Sequence, residues 1–254
     1  MPFALKTLIL FLAGAIAGVM NSAAGGGTFL TFPALVFSGL PAIAANATST
    51  VAMLVGTSAS VVGYRRELVS QKRWAWRFAP SSLLGGLVGA ILLLETGEAQ
   101  FRAIVPYLIL FAALLFTFQG TVTRWLQIEA HAIERSRHGI FAAIFFQFCV
   151  ATYGGYFGAG LGILMLATLG VLGHNNIHEM NSLKMFLGML INSVAAAYFI
   201  ISGAVFWQEV LLVGAGALVG GYAGPHLARK VGQRVVRAFV SLVGFGIGLY
   251  FLLS

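Results

Sequence analysis

The chain has 254 residues, of which 59% are hydrophobic and 9% charged, and its mean hydropathy is +0.92. A soluble domain carries about 25% charged residues. This composition therefore excludes a soluble protein and predicts an integral membrane protein. The net charge is +8, but the Arg and Lys residues lie in short patches between apolar runs, where they set membrane orientation. They therefore do not indicate a nucleic-acid-binding protein.

Eight apolar runs approach the ~20 residues that a helix needs to cross a bilayer. They cover residues 5–22, 45–63, 77–94, 101–118, 138–157, 183–202, 208–227 and 236–253. Two shorter runs, 28–38 and 163–173, follow Gly-rich segments, and a helix of that length covers only about 16 Å of a ~30 Å hydrocarbon core. The sequence thus predicts about eight to ten crossings, depending on whether the short runs span.

The second half of the chain repeats the first at a constant shift of 135 residues. The matches are Ala24, Gly25 and Gly27 with Ala159, Gly160 and Gly162, Asn46 with Asn181, Ser58 with Ser193, Gly85, Gly86 and Gly89 with Gly220, Gly221 and Gly224, and Arg102 with Arg237. Repeated polar and Gly-rich breaks in apolar segments are typical of secondary transporters, whose site lies between two related halves. We predict an all-α integral membrane protein with two inverted repeats of about five membrane helices each, four long plus one short or broken. The halves cover 1–119 and 136–254, and a loop at 120–135 connects them.

Charge in the loops predicts the inversion. The positive-inside tendency places the basic loops at 65–77, 124–137 and 229–237 in the cytoplasm, and the loops around Glu95 and Glu209 outside. Both short segments must then cross the membrane, so each half has five crossings. Because five is odd, the halves have opposite orientations and both termini face outward.

The N-terminal segment has a second interpretation. Lys6, the apolar run after it and the small residues at 21–24 resemble a cleavable signal peptide. We favour a retained membrane helix, because residues 1–27 belong to the repeat and their removal would leave the second half without its counterpart.

Two Gly-rich segments predict breaks within the apolar sequence. The substrate-binding candidates that they supply are Asn21, Ser22, Gly25, Gly26 and Gly27, and Tyr156, Gly160 and Gly162. Each Gly weakens a helix by about 1 kcal/mol relative to Ala, and irregular backbone at membrane depth is tolerated only where it is buried or lines a wet cavity. New helices starting at Thr28 and Ile163 would point their N-terminal N–H groups at the breaks, and two such ends that face each other near the membrane midplane predict an anion site. Close helix packing is the alternative.

A second pair of polar segments supplies the remaining candidates, which are Asn46, Thr48 and Ser49, and Asn181, Ser182 and Lys184. Both Asn residues fit ordinary helix N-caps, although their equivalence favours a shared role at the site. Lys184 lies a few residues into an apolar run that contains no acid, where an ammonium is costly unless it faces a partner, a cavity or a ligand. We predict that it coordinates an anion, with snorkelling to the surface beside Glu179 as the alternative.

The remaining motifs predict neither a metal site nor a cofactor. His174 and His178 have the i, i+4 spacing of a helical metal site, but the segment 173–176 looks like a connecting turn. A polar loop is therefore favoured, with metal binding and proton handling as alternatives. The GxxxG pairs at 85–89 and 220–224 predict helix packing, with a homodimer contact as the alternative.

Taken together, the motifs resemble those of the TauE/SafE family, also called the toluene-sulfonate uptake permeases. The resemblance rests on the break at 21–27, then Leu30-Thr31-Phe32-Pro33-Ala34-Leu35, Gly39-Leu40-Pro41 and Ala45-Asn46-Ala47-Thr48-Ser49, and on segments 154–160 and 181–184. It covers essentially the whole chain. It implies transport of small sulfur-containing anions, such as sulfite, sulfonates, sulfoacetate or thiosulfate, across the inner membrane of bacteria and archaea. Substrate and direction differ within the family.

The residues and the resemblance both indicate a secondary transporter and not an enzyme. Helix N-termini, polar segments and one Lys, with no carboxylate near the centre of an apolar span, suit an oxyanion. We expect export of sulfite or an organosulfonate by a multi-pass protein of the cell inner membrane. The expected partners are the sulfur anion and the lipid bilayer. A proton-coupled importer of sulfonate, sulfoacetate or thiosulfate and an anion channel remain the alternatives.

Overall fold

The protein is described by a computed structural model that covers residues 3–23, 25–133, 137–171, 177–231 and 233–253, without the side chains of 119–138, 171–178, 227–237 and a few others. Within this part of the chain all regular structure is α-helical, which confirms the predicted class. The helices are α1 (Phe3–Ala23), α2 (Thr28–Phe37), α3 (Ala42–Gly63), α4 (Arg65–Ser70), α5 (Lys72–Glu95), α6 (Glu98–Ile133), α7 (Arg137–Tyr156), α8 (Leu161–Val171), α9 (Ile177–Ile201), α10 (Trp207–Val231) and α11 (Gln233–Leu253).

Six segments of the described helices are long and apolar enough to cross a membrane. They are Phe3–Ser22, Ala42–Gly63, Lys72–Glu95, Glu98–Phe118, Gly139–Tyr156 and Glu179–Ile201. The segments Thr28–Phe37 and Ser241–Leu253 are apolar but shorter. The protein is thus a multi-pass membrane protein, while the count of eight to ten crossings stays a prediction.

Large apolar side chains cover the outside of the helix bundle. Phe141, Phe145, Leu211 and Tyr222 are exposed by 72%, 69%, 71% and 66%. Soluble proteins rarely leave broad apolar patches exposed to water, because such surfaces associate. This surface is therefore suited to contact with lipid.

The helices of the second half follow those of the first at the shift found in the sequence. Five helices of the first half, α1, α2, α3, α5 and α6, have counterparts in α7, α8, α9, α10 and α11. After the shift of 135 residues, the first residues of each pair of helices agree within two positions. Helix α1 packs against α10, and its counterpart α7 packs against α5, the counterpart of α10. Equivalent helices therefore make equivalent contacts.

Glycine allows these two helix pairs to approach backbone to backbone. A Cβ atom added at Gly89 would lie 2.0 Å from the carbonyl oxygen of Thr152, and one added at Gly220 would lie 1.9 Å from that of Ala15. The predicted packing role of the two GxxxG pairs is confirmed. These glycines contact helices of the same chain, and the homodimer alternative stays untested.

A buried aromatic cluster packs beside the second glycine break. The rings of Phe32 and Phe157 meet edge to face with centroids 5.5 Å apart, and Phe101 contacts both at 6.4 and 6.2 Å. Edge-to-face pairs contribute about 0.5–1.5 kcal/mol beyond the area that they bury. The cluster therefore holds α2, α6 and the segment after α7 in fixed positions around the centre of the bundle.

Candidate functional site

The two glycine breaks lie in direct contact. Gly25 and Gly160 occupy equivalent positions in the repeat and have φ angles of +89° and +75°, which other residues rarely adopt. A Cβ atom at Gly25 would lie 2.6 Å from the Cα atom of Gly162, so the backbone of one break touches that of the other. The predicted contact between the breaks is confirmed, while their place near the membrane centre and their role as an anion site stay predictions.

A short helix follows each break and begins at it. Helix α2 begins at Thr28, as predicted, and α8 begins at Leu161, two residues before the predicted start. Gly162 therefore lies in the first turn of α8, and Tyr156 is the last residue of α7. The first N–H groups of a helix lack intrahelical acceptors and carry partial positive charge. Both helix starts thus favour an anion near the contact between the breaks.

A cavity of about 40 Å³ lies between the two breaks and helices α3 and α9. Since one water needs roughly 10–15 Å³ by this measure, the cavity has room for about three. Its lining comprises Asn21, Gly25, Thr28, Thr50, Met53, Thr57, Gly154, Phe157, Gly158, Leu161, Gly162, Met165, Lys184, Met185, Gly188 and Asn192. Each lining residue from α3 has its repeat equivalent in the lining from α9. Thr50 corresponds to Met185, Met53 to Gly188, and Thr57 to Asn192. Corresponding faces of two equivalent helices therefore line one cavity, which we name the central cavity.

Lys184 is the charged residue in the lining of the central cavity. Its side chain is 1% exposed, and its Nζ atom has no hydrogen-bond partner among the described residues. Glu179, the neighbour in the snorkelling alternative, instead accepts a hydrogen bond from Gln71 Nε2 at 2.6 Å. Snorkelling beside Glu179 is therefore wrong. A buried ammonium without a partner is strongly unfavourable, so the charged form of Lys184 depends on what occupies the central cavity beside it.

The other polar groups of the central cavity are amides and hydroxyls. Asn21 Nδ2 donates to Thr57 Oγ1 at 3.1 Å, while the Thr57 hydroxyl donates to the carbonyl oxygen of Met53 at 2.8 Å. The Thr50 hydroxyl donates to the carbonyl oxygen of Asn46 at 2.9 Å. The lining includes no carboxylate. Its chemistry therefore disfavours a cation and suits a small anion.

Neither Asn46 nor Asn181 is a helix N-cap. Helix α3 begins at Ala42 with Pro41 in the N-cap position, and α9 begins at Ile177. The N-cap interpretation is therefore wrong for both. Asn46 Nδ2 donates to the carbonyl oxygen of Tyr156 at 2.9 Å and so holds the end of α7. The Oδ1 atoms of both Asn residues are buried without a partner.

Several other candidates make contacts away from the central cavity. Ser49 and Thr31 share a hydrogen bond of 2.6 Å, and Thr48 Oγ1 accepts from the backbone N–H of Phe206 at 3.1 Å. Ser182 Oγ donates to the carbonyl oxygen of Glu179 at 2.7 Å. Of the predicted substrate-binding residues, the central cavity contains Asn21, Gly25, Gly162 and Lys184 in its lining, and does not contain Ser22, Gly26, Gly27, Asn46, Thr48, Ser49, Tyr156, Gly160, Asn181 and Ser182. A substrate role for any of them stays a prediction.

The sequence interpretation missed the residues that extend down the faces of α3 and α9. Thr50, Thr57 and Asn192 line the central cavity. The available signal was the spacing 50, 53 and 57, which follows one helix face. Asn192 gave a second signal, since a polar residue in the middle of a membrane helix usually faces the bundle interior.

The described residues contain no group of three or more His, Cys, Asp or Glu side chains that would hold a metal ion. His174 and the side chain of His178 lie outside the described part of the chain. Their metal, proton-handling and polar-loop interpretations are therefore not tested.

Comparisons with known proteins identify the family. The family model described as sulfite exporter TauE/SafE matches residues 10–251. A probable membrane transporter protein of Haemophilus influenzae is 26% identical over 238 residues, 93% of this chain and 91% of that protein. The probable membrane transporter protein YfcA of Escherichia coli K12 is 27% identical over 236 residues, 92% of this chain and 85% of that protein. No solved structure is significantly similar. The chain therefore belongs to the sulfite exporter TauE/SafE family and is a membrane transporter.

Proposed function

We propose that this transporter exports sulfite, or an organosulfonate of similar headgroup, and that the anion binds in the central cavity. The observation that carries the proposal is the Lys184 ammonium, which is buried at this cavity without a partner. A monovalent anion placed there neutralises the charge and accepts hydrogen bonds from the ammonium. Charge-assisted bonds of this kind are the strong ones in proteins.

The start of α2 and the start of α8 support the same ligand class. Thr28, Leu161 and Gly162 belong to these first turns and line the cavity. Backbone N–H groups at two helix starts bind oxygen atoms of an anion without a side chain. The small volume favours sulfite over larger organosulfonates, which require the cavity to widen.

We further propose that the two halves form inverted repeats of five membrane helices each. Three contacts between segments that are far apart in sequence support this topology. Lys6 forms a 2.7 Å ion pair with Glu209, Glu98 accepts hydrogen bonds from the backbone N–H groups of Ala42 and Ile43, and Gln71 binds Glu179. The first two contacts join segments assigned to the outside, and the third joins segments assigned to the cytoplasm.

Accessibility labelling tests this topology. Single cysteines replace Ser70, Gly97, Ser202 or Gly232 in a Cys149→Ser background, and a membrane-impermeant thiol reagent is applied to intact cells. We expect labelling at 97 and 202 and protection at 70 and 232. Labelling of 70 and 232 from opposite sides excludes the inverted topology.

The membrane potential is sufficient to drive export of a monovalent anion. Moving one negative charge out of a cell at 100 mV, inside negative, releases about 2.3 kcal/mol, which supports a gradient of nearly fiftyfold. No acidic residue lines the central cavity to couple this movement to a proton. Export therefore needs no second ion in this proposal, whereas uptake of the same anion needs proton symport.

Flux in proteoliposomes tests direction and driving force. A potassium-diffusion potential is imposed without a pH gradient, and sulfite movement is compared with that in vesicles lacking protein. We expect sulfite to move toward the positive side. Flux that ignores the potential and follows only a pH gradient overturns potential-driven export and supports the proton-coupled importer. An ohmic current many times faster than a carrier turnover supports the anion channel.

A further inference from the structure

A second cavity lies between the α2–α3 connection and the start of α6. It has a volume of about 420 Å³, roughly ten times that of the central cavity, and is open to the surface. Its lining includes Phe32, Val36, Leu40, Glu98 and Arg102. We name it the Arg102 vestibule.

The acidic neighbour of Arg102 is bonded to a different helix. Glu98 and Arg102 stand four residues apart on α6, a spacing at which opposite charges normally pair. The carboxylate of Glu98 instead accepts hydrogen bonds from the backbone N–H groups of Ala42 and Ile43 at the start of α3. Among the described residues Arg102 forms no ion pair, and its side chain is exposed. The vestibule lining therefore holds one guanidinium group and one carboxylate, and the carboxylate bonds to the start of α3 and leaves the guanidinium group unpaired within the described part of the chain.

An aromatic contact joins the lining of the vestibule to that of the central cavity. Phe32 lines the vestibule, Phe157 lines the central cavity, and their ring centroids are 5.5 Å apart. Both rings are buried, at 1% and 2% exposure. The two cavities therefore share one buried aromatic contact, and Arg102 lies in the lining on the vestibule side.

From this arrangement we propose that the Arg102 vestibule is a second anion-binding site, on the path between the central cavity and the membrane surface. The ligand class is a monovalent oxyanion, which a guanidinium binds through two N–H donors at once. The assignment of this site to the transport path rests on the proposed function. The binding of anions at Arg102 does not, and the experiment separates the two.

The first measurement needs no transport. Val36, which lines the vestibule, is replaced by Cys in a Cys149→Ser background, and reaction rates are measured with thiol reagents that carry a sulfonate or a quaternary ammonium. One positive charge within several ångströms of water-filled space attracts the anionic reagent and repels the cationic one. We expect Arg102→Gln to lower the anionic-to-cationic rate ratio at position 36 about five- to tenfold. Arg102→Lys keeps most of the ratio.

A cysteine at Ser202 is the matched control, because this residue is exposed and is absent from the vestibule lining. Its rate ratio should be the same with Arg or Gln at position 102. An unchanged ratio at position 36 overturns anion binding in the vestibule, whatever the protein transports. An equal fall at 36 and 202 also overturns it, since the effect is then a general change in charge.

The second measurement assigns the site to the path. Sulfite exchange is followed in proteoliposomes with the concentration varied on one side at a time. We expect Arg102→Gln to raise the half-saturating concentration about tenfold on the vestibule side and to leave the other side within twofold. If sulfite is not transported by the wild-type protein, the proposed function fails while the thiol result stands. If sulfite exchanges and both half-saturating concentrations are unchanged, the vestibule is not on the path.

Discussion

The facing surfaces of α3 and α9 are equivalent in the repeat and differ at two decisive positions. Ser49 in the first half forms a hydrogen bond with Thr31, whereas its equivalent Lys184 has no partner, and Leu166 stands at the position that corresponds to Thr31. Met53 extends toward Gly27, so that a Cβ atom added there would lie 2.6 Å from the Met53 Cε atom. Its equivalent, Gly188, has nothing within 4 Å of an added Cβ atom. On α3, the Met53 side chain thus occupies the space and the Ser49 hydroxyl is hydrogen-bonded. On α9, Gly188 leaves the space empty and the Lys184 ammonium has no partner. The repeat thus determines how the helices are arranged, and the two differences between its halves, at Lys184 and Gly188, create the proposed site.

Filling the open position should have the largest effect. Gly188→Met gives α9 the residue that α3 already has, and the added side chain occupies most of a cavity of about 40 Å³. We expect loss of sulfite binding by more than about a hundredfold, because the ligand and the side chain cannot share the space. Met favours a helix over Gly by roughly 1 kcal/mol, but its side chain excludes water and anion from the buried Lys184 ammonium, so thermal stability should fall. Sulfite binding and thermal unfolding of the purified protein measure both.

The control for this substitution is Gly246→Met. Gly246 is also helical and has open space around an added Cβ atom, but it is exposed and does not line the central cavity. The Gly246→Met substitution should leave sulfite binding unchanged. Normal binding by the folded Gly188→Met protein contradicts the assignment of the site.

Removing the charge should have the next largest effect. Lys184→Met keeps a long apolar side chain and deletes the ammonium, which should weaken sulfite binding by about 1.5–3 kcal/mol, roughly tenfold to a hundredfold. The thermal stability should rise, because an unpaired buried charge is removed. Lys72→Met makes the same change at an exposed Lys outside the central cavity and should alter neither property. A loss of stability with unchanged sulfite affinity contradicts an anion-binding role for Lys184.

Two Asn residues should separate structural from binding roles. Asn46→Ala leaves the carbonyl oxygen of Tyr156 without its donor and should lower the free energy of unfolding by about 1–3 kcal/mol. Asn192→Ala removes an amide that lines the central cavity and should weaken sulfite binding by about threefold to tenfold, with a smaller change in stability. Thermal unfolding and equilibrium binding are measured on both. If Asn46→Ala mainly lowers sulfite affinity and Asn192→Ala mainly lowers stability, the residues that line the site are wrongly identified.

The sequence predicted the frame better than the lining of the site. The contact between the breaks and the isolation of Lys184 were accessible because Gly in succession and a Lys without an acid each have a strong local energetic consequence. The helix starts at Ala42 and Leu161 were less accessible. The backbone N–H of Ala42 donates to the carboxylate of Glu98 from another helix, a contact that no local sequence pattern reveals.

The polar candidates next to Asn46 show why adjacency in sequence misleads. Thr48 and Ser49 follow Asn46 directly, yet they bond to Phe206 and Thr31, whereas Thr50 lines the central cavity. Successive helical residues point about 100° apart, so a cluster of polar residues in sequence is spread over several faces. Only the packing of α3 against its neighbours decides which face meets the cavity.

The smallest effect is expected where the first half has already satisfied its polar groups. Thr31→Val with Ser49→Ala removes both partners of one buried hydrogen bond and leaves neither donor nor acceptor unpaired. Such paired removal is nearly neutral, so the free energy of unfolding should fall by about 0.5–1.5 kcal/mol at most, and sulfite affinity should change by less than about threefold. Ser49→Ala alone is the control, because it removes one partner and leaves the other in place. The Thr31 hydroxyl then keeps only its contact with the Gly27 carbonyl oxygen. It should be the less stable of the two variants. A tenfold loss of sulfite affinity in the double variant shows that the anion also depends on Thr31 or Ser49, and that the asymmetry between Ser49 and Lys184 does not define the site.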